Sequence, residues 1–340
     1  MSMEGRRFEG RLDCIQCIRV LGFTMIALYH IGFGRHYCKS VAFNASVQLF
    51  YVITGFLTMY TTRHDDRRTF VRRRLIRILP LYWILTMLIF AVDRLLGINL
   101  DGEPASWMEF VKSMCLIPYA RTSTSGTVVI RPLLGMAWTL YLEVAFVLLF
   151  ALARAISQRY RGLIAGALCA AVWAAAKLSR STVPAVVVLK SSSWFCFVAG
   201  ILCYAVALKL WDRPIPTRAG RAALLAAGVA AAVAGYCMGA NAARAACFGV
   251  FLCAVVLSLR DGKMPGLLVQ MGNLSYSFYL THYFVVAAAG RVVNFHRLGV
   301  RQMLMVIPVL LVALVVAKIC YEIIEKRLGE RLKRLIVRSA

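Results

Sequence analysis

The sequence is short of acidic residues. Its 340 residues include 15 Asp and Glu against 40 Lys and Arg, which gives a formal net charge of +25 at pH 7. Such an excess could indicate a nucleic-acid-binding surface, but the basic residues lie mostly between apolar runs rather than in one soluble segment. This distribution is typical of the positive-inside orientation of membrane spans. We therefore expect no nucleic-acid partner.

Two local signals are also missing. Cys14 and Cys17 form a C-x-x-C, but the second pair that a zinc site needs is absent, so we expect no metal. No Ala-x-Ala-like cleavage site follows the first apolar run, and we expect that run to remain as the first span. Cys38 and Cys115 both fall in predicted outer loops, and the sequence leaves open whether they form a disulfide.

Apolar residues dominate what is present. They make up 61% of the chain, and the mean hydropathy is +0.72. Runs of about 18–20 apolar residues, each long enough to cross a bilayer, recur along the sequence. We predict an all-α, polytopic membrane protein with about ten transmembrane helices in a single domain over residues 1–340. The predicted spans are 14–33, 41–61, 75–96, 133–153, 162–177, 193–209, 222–239, 243–259, 274–291 and 302–321.

The loops between these spans alternate in charge. Roughly twice as many Lys and Arg fall on one side as on the other, and this asymmetry predicts that both termini are cytoplasmic. Residues 1–13 then form a cytoplasmic segment. Residues 322–340 mix Leu with Lys and Arg and are expected to lie as an amphipathic helix on an anionic leaflet.

The first span carries two residues that are costly in a membrane, Arg19 and His30. They are eleven residues apart, which places them on nearly the same helix face and roughly 16 Å apart along it. Arg19 stays charged, whereas a neutral His30 can accept a proton near neutral pH. The alternative is that Arg19 extends to the headgroups and His30 caps a helix end. We favour a functional pair.

The third span begins with a run of arginines. Arg74 and Arg77 share one helix face, and paired guanidinium groups suit a polyphosphate such as that of coenzyme A. Arg72 and Arg73 have the alternative interpretation of a charge cluster that orients the span.

Polar residues also lie within other spans. Glu143 in the fourth span needs a partner or a proton, and we expect it to orient His30 or to pair with Arg19. Trp138 precedes it and could be an interface anchor. In the ninth span Tyr279 and His282 share a face, although a structural hydrogen bond from His282 to another helix is as reasonable as catalysis. Gln48 and Gly55 offer a polar atom and a close backbone approach in the second span.

Five of these motifs, in this order, resemble those of acyltransferase family 3. The matching segments are Ile15–Val20 with His30, Leu49–Phe56, Arg74-x-x-Arg77 with Pro80, Tyr82 and Trp83, Trp138-Thr139-Leu140 with Glu143, and Ser275-Tyr276 with Tyr279, Leu280 and His282. Gln16 stands where the family usually has Asp, and Val20 where it usually has Gly.

The resemblance implies transfer of an acyl group, usually acetyl, from cytoplasmic acyl-coenzyme A to a hydroxyl of an extracytoplasmic carbohydrate. We assign the chain to a bacterial cytoplasmic membrane, with acetyl-coenzyme A or another acyl-coenzyme A as co-substrate. The expected catalytic residues are His30, Glu143 and Arg19. The expected donor-binding residues are Arg73, Arg74, Arg77 and Tyr82. The expected acceptor-binding residues are Gln48, Trp138, Tyr279 and His282.

A transporter or flippase is the alternative function. Intramembrane Arg, Glu and His are ordinary in such proteins. Transporters often contain paired repeats with broken helices at corresponding places, and this sequence shows no such duplication. A thioester assay separates the two functions, because only the enzyme releases coenzyme A when an acceptor is present.

Overall fold

The computed structural model describes residues 12–31, 41–63, 65–98, 104–123, 126–211, 213, 217–239, 241–260, 262–293 and 300–338, almost all of them helical. The α-helices are α1 (Asp13–Ile31), α2 (Val41–Thr61), α3 (Arg67–Leu96), α4 (Trp107–Met114), α5 (Thr139–Ile156), α6 (Arg161–Leu178), α7 (Pro184–Leu189), α8 (Trp194–Leu210), α9 (Arg218–Cys237), α10 (Ala242–Leu259), α11 (Gly266–Asn273), α12 (Ser275–Val292), α13 (Val300–Cys320) and α14 (Gly329–Arg338). A 3-10 helix (Gly135–Trp138) precedes α5, and a π-helical stretch (Tyr321–Leu328) joins α13 to α14. Strands β1 (Ala120–Thr122) and β2 (Val128–Ile130) pair antiparallel, with Arg121 opposite Val129.

The helices confirm a polytopic, all-α membrane protein. Within the described residues, eight helical stretches are long and apolar enough to cross a membrane, and Ala45–Thr61 is a shorter apolar helix. Each of the ten predicted spans contains a helix, but Ser275–Val292 is more polar than the eight. The number ten, and the placement of both termini in the cytoplasm, stay predictions. The eight stretches are Asp13–Ile31, Arg67–Leu96, Gly135–Ile156, Arg161–Leu178, Pro184–Leu210, Arg218–Cys237, Ala242–Leu259 and Leu304–Leu335.

Helix α3 begins well before residue 75, where the third span was predicted to start. Asp66 caps it, because its carboxylate accepts hydrogen bonds from the backbone nitrogens of Arg68, at 3.0 Å, and Thr69, at 3.3 Å. The hydrogen bond with the Thr69 side chain holds the pKa of Asp66 below its ordinary value. The arginine run is therefore helical, and Arg74 and Arg77 lie on adjacent turns of one rigid element.

The chain divides into two compact units. The first comprises Met1–His64, Ser192–Ser275 and Phe295–Val300, and the second comprises Asp65–Ser191, Tyr276–Asn294 and Arg301–Ala340. Each unit combines distant parts of the sequence, so the single domain expected over residues 1–340 stays a prediction.

In the first unit, helices α2 and α8 pack at a pair of glycines. A Cβ atom on Gly55 would lie 2.2 Å from the carbonyl oxygen of Phe197, and one on Gly200 would lie 2.0 Å from that of Val52. Because these neighbours are backbone atoms, a side chain at either position would force the helices apart. The close backbone approach expected at Gly55 is confirmed.

In the second unit, the segment after α3 is fastened to that helix. Tyr82 donates a 2.6 Å hydrogen bond to the carbonyl oxygen of Ser113, and the Trp83 indole donates a 2.8 Å bond to that of Met114. Nearer the end of α3, Asp93 accepts a 2.6 Å bond from the backbone nitrogen of Ala105. The described part of this segment is thus held against α3 by hydrogen bonds.

Candidate active site

The second unit gathers five of its polar residues into one group, which we call the Arg–Glu–Tyr cluster. Its members are Arg74, Arg77, Glu143, Tyr276 and Tyr279. Arg74 lies close enough to Arg77 and Glu143 for their charges to act on it, and Glu143 acts likewise on both tyrosines. Arg74 is half-buried, whereas Arg77 is exposed. The motifs of the third, fourth and ninth predicted spans therefore meet within this unit.

The cluster lies well inside α3, away from the start of that helix. Arg77 is ten residues into that helix, which corresponds to roughly 15 Å along its axis. Guanidinium groups so far along an apolar helix need acceptor atoms, and Glu143 is the carboxylate that acts on Arg74. The cluster thus combines three fixed charges with two phenol hydroxyl groups.

The two tyrosines are held by backbone carbonyl groups. Tyr276 donates a 2.6 Å hydrogen bond to the carbonyl oxygen of Ile78, one residue after Arg77. Tyr279 donates a 2.6 Å bond to the carbonyl oxygen of Met136 and lies 3.0 Å from the hydroxyl of Thr139. These bonds fix α12 against α3 on one side and against the start of α5 on the other.

Glu325 is a candidate site residue that the sequence reasoning did not select. Its carboxylate accepts a hydrogen bond from the Ser277 hydroxyl, and its charge acts on Tyr276. It lies in the π-helical stretch, a geometry that often occurs at functional sites. One signal for it was that Glu325-x-Arg327 stands where the family resemblance has a terminal Glu-x-Pro, just after the last predicted span.

Two expected acceptor residues have less distinctive surroundings. Trp138 is half-buried and ends the 3-10 helix that leads into α5. His282 is fully buried, and its Nδ1 donates a 3.0 Å bond to the carbonyl oxygen of Phe278, on whose ring it stacks. This bond lies within α12, so the hydrogen bond between helices that was the structural alternative for His282 stays a prediction.

Two expected donor-binding residues are engaged elsewhere in the second unit. The exposed guanidinium of Arg73 forms a 2.6 Å ion pair with Asp65. Tyr82 is fully buried, and its hydroxyl bonds to Ser113. We therefore place Arg74 and Arg77 ahead of Arg73 and Tyr82 as donor-binding residues.

In the first unit, Arg19 and His30 occupy opposite halves of α1. Arg19 is buried, and its Nη1 donates a 3.1 Å hydrogen bond to the side-chain oxygen of Gln16, the residue that replaces the usual Asp. His30 lies in the last turn of the helix, half-buried, with the ring of Tyr29 edge-on at 5.0 Å. A cation and an imidazole thus lie on one helix, and their place on a shared face of it stays a prediction.

Gln48 has an unexpected partner. The Nη1 atom of Arg244 donates a 3.2 Å hydrogen bond to the Gln48 side-chain oxygen, and Arg244 is only 3% exposed. The sequence analysis did not select Arg244 as a candidate site residue. The Ser46 and Tyr236 hydroxyls, 2.8 Å apart, lie in the same part of the unit.

Other predictions concern metals and cysteines. Among the described residues, no group of three His, Cys, Asp or Glu side chains is arranged to hold a metal ion. Cys115 is exposed, whereas Cys38 lies outside the described residues, so their disulfide stays a prediction.

The comparisons with known proteins agree with the motifs. The family model described as an acyltransferase domain, that of acyltransferase family 3, matches residues 12–322. The exopolysaccharide production protein ExoZ of Rhizobium meliloti (strain 1021) is 29% identical over 273 residues, which cover 76% of this chain and 81% of that protein. No solved structure gives a significant match. The chain therefore belongs to acyltransferase family 3 and is a multi-pass membrane acyltransferase.

Proposed function

We propose that this protein transfers an acyl group, acetyl in the simplest case, from acyl-coenzyme A on the cytoplasmic side of a bacterial membrane to a hydroxyl group of an extracytoplasmic polysaccharide. The family match over residues 12–322 is the observation that carries the proposal. The name of ExoZ, a protein of exopolysaccharide production, supports a polysaccharide as the acceptor.

Arg74 and Arg77 are the proposed contacts of the donor. Coenzyme A carries several phosphate groups, and guanidinium forks form short, charge-assisted hydrogen bonds with phosphate oxygens. Glu143 acts on Arg74, and Tyr276 is bonded to the α3 backbone one residue after Arg77, so the helix segment that carries both arginines is fixed against α12. We propose that Glu143 contributes to catalysis by keeping this pair oriented.

His30 is the proposed general base. Its imidazole takes the proton of the acceptor hydroxyl while the hydroxyl oxygen attacks the thioester carbonyl carbon. The carbon–sulfur bond then breaks, and the departing thiolate of coenzyme A takes the proton from the imidazolium. General-base action of this kind accelerates a reaction about 10²–10⁴-fold. Attack by the imidazole itself, through an acyl-histidine, is a second route to the same products.

The remaining expected residues have supporting roles in this proposal. Arg19, buried on the same helix as His30, supplies fixed positive charge for a thioester or its leaving group. Gln48, Trp138, Tyr279 and His282 stay proposed acceptor-binding residues.

The test uses the full-length chain in lipid nanodiscs. Acetyl-coenzyme A, succinyl-coenzyme A and a candidate exopolysaccharide are supplied, and free thiol and acylated sugar are measured together. We expect thiol release only when the acceptor is present, with one ester formed for each thiol released. A transporter would release no thiol with any acceptor, and that result would overturn the proposal. Mass spectrometry of surface glycans from cells with and without the chain identifies the natural product.

A further inference from the structure

Arg244 is a buried cation whose hydrogen-bonding capacity is only partly used. It lies in the first turn of α10, and its Nη1 donates to Gln48. Its Nε and Nη2 atoms are buried and have no hydrogen-bond partner. A guanidinium withdrawn from water with two unsatisfied nitrogens is strongly unfavourable unless a ligand completes it.

The described part of the first unit provides no carboxylate near this guanidinium. Asp13 is the one acidic residue there, at the start of α1. Gly22 of α1 lies against Phe50 of α2. Because two consecutive spans run in opposite directions, Gln48, two residues before Phe50, is level with about residue 24 of α1. Asp13 is then roughly 16 Å away along that helix, too far for an ion pair.

The geometry of the two unsatisfied nitrogens indicates which chemical group can bind them. Nε and Nη2 point their N–H bonds along the same edge of the guanidinium plane, which is the edge that binds a carboxylate through two parallel hydrogen bonds. The Ser46 and Tyr236 hydroxyls are bonded to each other at 2.8 Å, and Tyr236 lies close enough to Arg244 to act on its charge, so this region also offers groups that suit a sugar. The hydrogen bond from Nη1 to the Gln48 side-chain oxygen orients the guanidinium plane.

We propose that Arg244 binds the carboxylate of the acceptor, which is therefore an acidic polysaccharide containing a uronic acid or another carboxylate-bearing sugar. This inference rests on the proposed function and specifies its substrate class. His30 lies at the same end of the first unit, roughly 9 Å beyond the level of Gln48 along α1. That separation is about the length of two sugar residues, so a bound uronate would place a neighbouring sugar near His30.

The first test measures binding without donor. A glucuronic-acid-containing oligosaccharide and its carboxyl-reduced counterpart are titrated onto the full-length chain in nanodiscs. We expect the acidic sugar to bind roughly 10- to 100-fold more tightly, as one charged hydrogen-bonded pair would produce. Arg244→Gln should remove this preference, and Arg218→Gln, which removes an exposed arginine of α9, should preserve it.

The second test measures transfer. With the acidic acceptor, Arg244→Gln should raise KM by the same factor and leave the KM for acetyl-coenzyme A unchanged. Arg244→Lys, which keeps the charge but not the fork, should bind the acidic sugar more weakly than the original chain. If the original chain does not discriminate between the two sugars, the inference is wrong, whether or not acyl transfer occurs. Native mass spectrometry provides a further check. If the original chain carries a bound anionic phospholipid that the Arg244→Gln variant lacks, the inference is also wrong, and the guanidinium binds a lipid phosphate instead.

Because binding is measured without donor, the two proposals fail separately. Arg244-dependent binding of the acidic sugar without any thiol release would support the Arg244 site while contradicting acyl transfer. Thiol release with equal use of both sugars would support acyl transfer while contradicting the Arg244 site.

Discussion

Tyr279 donates a 2.6 Å hydrogen bond to the carbonyl oxygen of Met136, 143 residues earlier in the chain. Since its proton is used in that bond, the Thr139 hydroxyl at 3.0 Å must donate to the Tyr279 oxygen. One phenol group thereby joins α12 to the 3-10 helix and to the start of α5. Glu143 follows one turn later, so its position depends on this junction.

Tyr279→Phe should weaken the second unit. The substitution leaves the Met136 carbonyl oxygen and the Thr139 hydroxyl without this partner, and such losses cost about 1–3 kcal/mol each when the groups are buried. We expect lower thermal stability in nanodiscs and lower acyl transfer. Tyr160→Phe, which changes an exposed tyrosine, should alter neither. Equal melting temperatures for the Tyr279→Phe variant and the original chain would contradict the role of this bond.

His30→Ala should abolish transfer while the protein stays inserted and folded. Loss of a general base lowers the rate about 10²–10⁴-fold. His30→Gln, which keeps a polar side chain but cannot take up the proton, should be equally inactive. The measurement is the initial rate of thiol release together with gel-filtration behaviour, and full activity in a folded His30→Ala variant would remove this residue from the mechanism.

The double variant Arg74→Gln with Arg77→Gln should bind the donor poorly. Each charge-assisted hydrogen bond contributes about 1.5–3 kcal/mol, so the KM for acetyl-coenzyme A should rise at least roughly 10-fold. Arg68→Gln removes an exposed arginine from the same helix and serves as the matched control. A similar KM in the double variant and the control would show that simple charge, rather than this pair, attracts the donor.

Gly200→Ala should destabilise the first unit severely. The added Cβ would lie 2.0 Å from the carbonyl oxygen of Val52, and two backbones cannot yield by rotating a side chain. Gly290→Ala is the control, because a Cβ there meets nothing within 4 Å and alanine favours the helix by about 1 kcal/mol. Thermal unfolding should separate the two variants, and equal stability would refute the close packing of α2 and α8.

Tyr119 should make stability depend on alkaline pH. Burial raises the pKa of its phenol above the ordinary value of 10.0, so the native state keeps a proton that the unfolded chain releases. The stabilisation is complete below pH 10 and is lost as pH rises through the native pKa. The unfolding free energy of the original chain should therefore fall relative to Tyr119→Phe above pH 10, and parallel pH curves for the two proteins would contradict this assignment.

The helices could be predicted because their signal is local. The predicted span 162–177 corresponds to the helix Arg161–Leu178, and the predicted span 243–259 corresponds to the helix Ala242–Leu259. The start of α3 was missed, because a hydropathy window excludes the arginines that the Asp66 cap makes helical. Helix Ser275–Val292 differs from prediction in another way. It was counted among the ten spans, but it is less apolar than the eight stretches that are apolar enough to cross a membrane.

The site was less accessible to sequence reasoning, because its partners are distant. Spacing alone put Arg74 beside Arg77, but no local pattern connects Glu143 to Arg74 or Tyr276 to Ile78. Arg244 was missed for a related reason. A charge near a span end ordinarily indicates orientation, and only its contact with Gln48, 196 residues away, distinguishes it.

The fastening of the segment after α3 has a further consequence. Tyr82, Trp83 and Asp93 bond to Ser113, Met114 and Ala105 at successive levels of one helix, so displacing the segment requires all three bonds to break together. The described part of the segment is thus held on α3 along roughly 16 Å of the helix axis. Local opening of this segment should therefore cost more free energy than opening of a loop without such bonds.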